Sequence, residues 1–437
     1  MQERRRFGPL GWNILYEWTA QDLSITYLQV VKFLDKYEEI PYKVMLFLTG
    51  HINYAGRVTD DIDRLTLNTM LKDYVNENVL QDGYKFSPSG VYKSITATTV
   101  DEYMAYLKSL PINPNPEVFG LHENADITRA MNAANALSET VLSMQPRASS
   151  GGRMTREQVI DQLAEVLAKQ APELVNELDL AMQYPVMYEE SMNTVLQQEI
   201  TRFNNLLRVI HKTIADLRKA LKGLVVMSAE LDAMGTSLFI NQVPEVWAAK
   251  AYPSLKPLSP WMIDLVKRME FMNTWIANGT PIVYWISGLF FPQAFLTGTL
   301  QNYARRLQIS IDTISFDFKV QVDTEDQIGA KPEHGCYISG LYLEGARWDP
   351  EVCTLAESRP KELFTSMAVI HLLPTAHRIK PESGIFITPC YKTLTRAGTL
   401  STTGHSTNFV MKIELPSVMP PEHWIKRGLA LFCSLAY

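Results

Sequence analysis

Cysteine is scarce. The 437 residues contain four, Cys336, Cys353, Cys390 and Cys433, all in the last quarter of the chain. No two stand in a CxxC spacing, so neither a thiolate zinc site nor a dithiol redox motif is expected, and scattered thiols suit a reducing compartment better than a disulfide framework. An excess of one charge is also lacking. The 41 basic and 47 acidic residues are mixed along the chain for a net charge of −6, which excludes the basic footprint of a nucleic-acid binder. Nor is there an unbroken membrane-length apolar run. The nearest, residues 281–298, is interrupted by Ser287, Gly288, Pro292 and Gln293, where a span needs about twenty mostly apolar residues. A buried strand followed by a helix is expected there instead. The first seven residues carry arginines with no apolar segment behind them, so no signal peptide is expected.

Signatures of catalysis are missing as well. There is no GxxxxGK followed by Ser or Thr, no GxGxxG, and no apolar strand ending in paired acids, so the protein is not expected to hydrolyse a nucleotide alone or to hold a cofactor. None of the eight histidines forms an HExxH or HxH pair. His371 and His377 straddle Pro374, which predicts a turn rather than one ligand face, and no metal is expected. Residues 398–407 (GTLSTTGHST) gather hydroxyls around Ser401 and His405. A hydrolase would need GxSxG, an orienting acid and an oxyanion hole beside them, and turn-formers between two β-runs read more simply as a hairpin connection.

What is present is a globular composition, 46% hydrophobic and 10% aromatic, long enough for about two or three domains. The fold class expected is α+β, in three parts. Residues 1–116 read as helices and turns. Apolar residues at helical spacing run from Leu23 to Leu34, Thr59 can cap a following helix, and Asp60, Asp61 and Asp63 fall in its first turn as solvated acids favoured by the helix dipole. Arg57 stands at the mouth of that helix, where it could face a phosphate or pair with Asp60 or Asp61. Residues 84–99 suggest a hairpin or long loop, and Pro111, Pro114 and Pro116 a stiff connector. The second part, 117–309, holds an exposed loop at 145–153 and a helix over 154–169. It then gives the strongest pattern in the sequence: Leu196, Ile200, Phe203, Leu207, Ile210, Ile214, Leu217 and Leu221, in steps of three and four. That spacing predicts one apolar seam along a long helix, packed within the domain or, alternatively, paired in a coiled-coil adaptor. Pro292 opens an amphipathic helix ending at Arg306. From residue 310 the period becomes two, with candidate strands at 316–322, 337–343, 368–373, 384–391, 409–415 and 429–435, suited to an antiparallel barrel or sandwich.

Several collinear segments resemble dynein heavy chains. Phe7-Gly8-Pro9-Leu10-Gly11-Trp12-Asn13 and Gly56-Arg57-Val58-Thr59-Asp60-Asp61 are similar to the lid of the sixth AAA+ module in that family. Phe119-Gly120-Leu121-His122-Glu123-Asn124, Tyr188-Glu189-Glu190-Ser191-Met192-Asn193, Leu343-Glu344-Gly345-Ala346-Arg347-Trp348-Asp349 and Tyr391-Lys392-Thr393 resemble the family's C-terminal domain. The 398–407 loop is closer to axonemal than to cytoplasmic members. One departure is Thr388-Pro389-Cys390, where relatives commonly read Cys-Pro. The resemblance implies a non-catalytic ring element of a minus-end-directed microtubule motor, with ATP and Mg held by other modules. It further implies that this polypeptide braces those modules and modulates output in ciliary or flagellar movement, in the cytoplasmic cytoskeleton of the axoneme. Its partners would be the other AAA+ modules and, through the parent complex, intermediate chains, light chains and microtubules, with no nucleic acid and no membrane. Exposed apolar patches are then expected on the lid and on the long helix.

Overall fold

The computed structural model describes residues 3–8, 10–144, 155–379, 381–398 and 407–437. The 145–153 loop and the Ser401/His405 pair lie outside the described residues. The N-terminal region is helical around a compact aromatic core of Trp12, Tyr16, Trp18, Tyr54, Val58, Leu67 and Met70. Helix Ala20–Lys36 starts at a reciprocal cap in which the Thr19 N–H donates to Asp22 at 2.7 Å. Helix Asp61–Leu71 is capped by Asp60 rather than by Thr59. The Asp60 carboxylate accepts from the backbone N–H groups of Ile62 and Asp63 at 2.9 and 3.1 Å, satisfying two donors the helix leaves open. Residues 84–99 make only one bridge, Lys85 to Lys93, before helix Val100–Ser109.

The middle of the chain is organised by helix Ser191–Leu221, whose 31 residues carry the apolar seam. Leu196, Ile200, Phe203, Leu207, Ile210, Ile214 and Leu217 are buried, and Leu221 is half-covered at the end. Steps of three and four keep them on one face, and that face is filled by the protein's own side chains, including Ile160, Trp247, Trp261, Leu265 and Phe295. Helices Arg156–Gln170, Leu258–Asn278 and Pro292–Leu307 pack around it. No described helix is long and apolar enough to cross a membrane.

The β-structure departs from the expected barrel. Its strands are β1 (Val283–Trp285), β2 (Ile314–Val320), β3 (Cys336–Ser339), β4 (Tyr342–Glu344), β5 (Arg347–Asp349), β6 (Thr354–Ala356), β7 (Phe364–Ser366), β8 (Ile370–Ala376), β9 (Ile385–Thr393), β10 (Phe409–Pro416) and β11 (Ala430–Ser434). Among the described residues they form sheets ordered β1-β3-β8-β2 and β10-β9-β11-β4-β7, with β5 and β6 paired alone. The two larger sheets are mixed, because β1 runs parallel to β3 and β11 parallel to β9. The gap between the edges β2 and β10 is bridged by a side chain instead of a ladder. Arg378 donates to Asp317 of β2 at 2.9 Å and to Glu414 of β10 at 2.6 Å. His371 and His377 also correct the expectation of a turn: Pro374 lies inside β8, opposite Phe316. On its other side β3 reaches only Ile370–Leu372, so β8 is an edge at Pro374 and the missing N–H breaks no ladder bond. One continuous core runs from Ile160 to Cys433, across residue 310.

Candidate functional site: a buried polar joint between lid and C-terminal sheet

The segment after residue 10 passes between helix Asp61–Leu71 and the C-terminal sheet, and Asn13 is its hinge point. The Asn13 backbone N–H donates to Asp63 at 2.6 Å and that of Ile14 to the other Asp63 oxygen at 3.0 Å. The Asn13 amide nitrogen donates to Asp60 at 3.0 Å, while its oxygen accepts from the Tyr391 hydroxyl of β9 at 2.5 Å. One buried asparagine side chain therefore ties the first turn of a helix near residue 60 to a strand near residue 390. The acids at that helix start are not the solvated trio the sequence suggests. Asp60 and Asp63 are buried, and only Asp61 remains exposed.

The cationic half of the joint is built from Arg4 and Arg396. The Arg4 guanidinium donates to the carbonyls of Leu10 at 2.9 Å and Lys426 at 3.4 Å, and lies over the Trp12 ring. Arg396 donates to Glu344 at 2.7 Å and to the Gly428 carbonyl at 2.7 Å, with its guanidinium over Phe432. Gly11 and Gly428 meet backbone to backbone: at φ +73°, a Cβ on Gly428 would stand 2.7 Å from the Gly11 nitrogen, so only glycine fits. At the rim, Lys426 pairs with Asp73 at 2.9 Å, and Arg427 reaches Glu357 at 3.0 Å and the Gly120 carbonyl at 2.8 Å. Asn124 seals the connector by donating to the carbonyls of Arg359 and Glu362 and accepting from the Lys361 N–H.

Burial dominates the electrostatics here. It pushes the Asp63 carboxyl up to about 7, the N–H of Asn13 opposing and the charge of Asp60 adding to the rise. Burial and the neighbouring Arg396 draw Arg4 down to about 9. Glu357 behaves oppositely: burial would raise it, but His423 and Arg427 outweigh that and hold it at about 2. An acid that binds its proton more tightly when folded contributes stability that is complete below its unfolded pKa and is lost as pH rises through its folded value. The Asp63 contribution should therefore grow on acidification from pH about 7 toward 4, the ordinary carboxylate range. In Asp63→Asn, urea midpoints measured across that window should lose this slope, and an unchanged slope would assign the titration elsewhere.

Arg57 does not pair with Asp60 or Asp61. It reaches back to the first turn of helix Ala20–Lys36, meeting Asp22 at 3.2 Å and the Glu17 carbonyl at 3.1 Å, and remains half-exposed. The seam of helix Ser191–Leu221 lies apart from the joint, within the central core. Sequence reasoning passed over Asn13, Arg4, Arg396 and Glu344. The signal available for them was weak: a Gly8/Gly11 pair beside an asparagine, and Gly428 after two cations. Among the described residues no cluster of His, Cys, Asp and Glu could hold a metal ion.

The arrangement can hold two regions in register, and it offers no nucleophile–base pair. Residues 1–125 match the family described as the AAA lid domain of dynein heavy chains, and residues 131–433 match the C-terminal domain of dynein heavy chains. The whole sequence is 56% identical to dynein axonemal heavy chain 1 of Homo sapiens, over 10% of that protein. It is 46% identical to dynein axonemal heavy chain 3 of Homo sapiens, over 10% of it, and 48% identical to dynein axonemal heavy chain 12 of Mus musculus, over 14%. It thus spans only 10–14% of the length of these curated relatives. The joint accordingly lies between a dynein lid and a dynein C-terminal domain, and the protein belongs to the dynein heavy chain family.

Proposed function

We propose that this polypeptide is a non-catalytic bracing element of an ATP-driven microtubule motor, working in the axoneme of cilia or flagella on energy released in AAA+ modules elsewhere in the heavy chain. The observation that carries the reading is a bare apolar stripe on the lid. Helix Ala20–Lys36 has no buried residue, although Leu23, Tyr27, Leu28, Val31 and Leu34 are apolar and at helical spacing. Helix Val100–Ser109 repeats the pattern with Val100, Tyr103, Met104 and Leu107 exposed. Contiguous exposed apolar surface of this kind marks an interface. The neighbours it suits are other modules of the same polypeptide, with intermediate chains, light chains and microtubules reached through the parent complex. The patch also expected on the long helix is not there, because that seam is covered from within the fold.

On this reading the joint transmits strain between the lid and the C-terminal domain, and neither ATP nor Mg is held by these residues. Calorimetric titration of the purified protein with ATP and with ADP should give no saturable heat. Tight binding of either nucleotide would overturn the assignment.

A further inference from the structure

The joint holds two acids with one cation to spare. Asp60 and Asp63 are both buried and share Asn13, whose side-chain amide donates to the first and whose backbone N–H donates to the second. Among the described residues neither acid forms an ion pair, because the surrounding cations are committed elsewhere. Arg64 lies 3.6 Å from Asp61, Arg57 reaches Asp22, Lys426 pairs with Asp73 and Arg396 with Glu344. Lys412 and Glu382, in the cleft beside Ile62, are exposed and of opposite sign. Tyr16 and Tyr391 face the acids as neutral hydroxyls, which burial holds above the ordinary tyrosine range. That leaves Arg4, itself buried, whose donors go to the Leu10 and Lys426 carbonyls. One guanidinium against two buried carboxylates balances only if one of the acids is neutral.

Asp63 is the member placed to carry the proton. Asp60 caps its helix, accepting from the Ile62 and Asp63 N–H groups as well as from Asn13, so a proton there would weaken the cap. Asp63 is the more deeply buried, 0% exposed against 8%. Its neutral form can give its O–H to the Tyr16 hydroxyl beside it, while its carbonyl oxygen still accepts from the Asn13 segment. Burial, with the charge of Asp60 adding, raises the Asp63 carboxyl in the same sense.

We propose that Asp63 is the proton switch of a latch between the lid and the C-terminal domain. With its proton in place the joint is closed. When the proton leaves for solvent, the new carboxylate needs water, which reaches it only where the Asn13 segment lifts from the helix. Lifting breaks the bonds from Asn13 to Asp60 and from Tyr391 to Asn13. The lid then parts from β9, while its aromatic core and the central core stay folded. That the latch sets how firmly a motor module is braced rests on the function proposed above. Nucleotide titration tests that function and hydrogen exchange tests the latch, so either can fail alone.

Hydrogen exchange on the full 437-residue protein, corrected for the intrinsic pH dependence of amide exchange, should be followed at the N–H groups of Asn13 and Ile14. Their protection should fall at least about tenfold between about pH 5 and pH 7 and level off above that, as an acid with a raised pKa requires. In Asp63→Asn, a permanently neutral isostere, protection should stay high throughout. The difference from wild type should be confined to the joint, leaving helix Ser191–Leu221 unchanged. Should that variant fold poorly, Asp60→Asn keeps a capping side chain and provides the second reading. With one charge of the pair gone, protection should level off at a pH lower by at least about half a unit. A flat wild-type profile, the same fall in Asp63→Asn, an unmoved profile in Asp60→Asn, or a fall of equal size throughout the protein overturns the proposal.

Discussion

Arg396→Met is expected to destabilise the protein by about 3–5 kcal/mol, because it leaves the largely covered Glu344 with no cation beside it. Arg396 is 3% exposed, and its guanidinium serves both the Glu344 carboxylate and the Gly428 carbonyl. Burial already raises the Glu344 carboxyl, opposed by the charge and hydrogen bond of Arg396. Removing the arginine therefore takes away the charge and the hydrogen bond that oppose this rise. The double variant Arg396→Met/Glu344→Gln should recover more than half of the loss, since an uncharged amide is far cheaper to bury than a lone carboxylate. Urea unfolding of the wild type, both single variants and the double variant measures the coupling directly. A loss below about 1 kcal/mol in Arg396→Met would mean that the pair behaves like a surface ion pair and that the joint draws its strength elsewhere.

Phe203→Ala should cost a similar amount, about 3–5 kcal/mol, for a different reason. Phe203 is fully buried in the long helix and meets Phe290 edge-on at 5.4 Å and Tyr252 at 6.3 Å, so its removal opens a cavity that rigid aromatic neighbours cannot close. Arg208→Ala on the same helix is the control. Its pairing with Glu177 is half-exposed, and its loss should stay within about 1 kcal/mol. If alanine at 203 were as mild as alanine at 208, the seam would not be the support of the central core.

The α+β class and the family were legible in the sequence. The long helix was too, because spacing in threes and fours is a local property that needs no knowledge of the partner surface. The β-region was read only in part. Period-two alternation locates long strands such as β9 and β10, but three-residue strands such as β5, β6 and β7 are too short to show a period. Alternation also says nothing of strand order, so the parallel pairing of β11 with β9 and the Arg378 bridge between sheet edges were invisible. The joint was the least readable element. Whether Asp60 and Asp63 are solvated or buried depends on Asn13 and Tyr391, which lie about 50 residues before them and more than 300 after. Side-chain hydrogen bonds over that separation leave no mark on local composition. Pro374 misled for a related reason: a proline signals a turn unless its strand is an edge at that one residue.

The bond from Tyr391 to Asn13 closes a loop of 378 residues, and β11, which follows later still, sits between β9 and β4 in the middle of its sheet. During synthesis on the ribosome the lid thus emerges long before the residues that lock it have been made, and its last tertiary contacts wait until β9 and β11 are out. Long-range pairing of this kind folds slowly and leaves surfaces uncovered meanwhile. A premature stop just before residue 430 would withdraw a central strand instead of trimming an edge, leaving β9 and β4 without the partner between them.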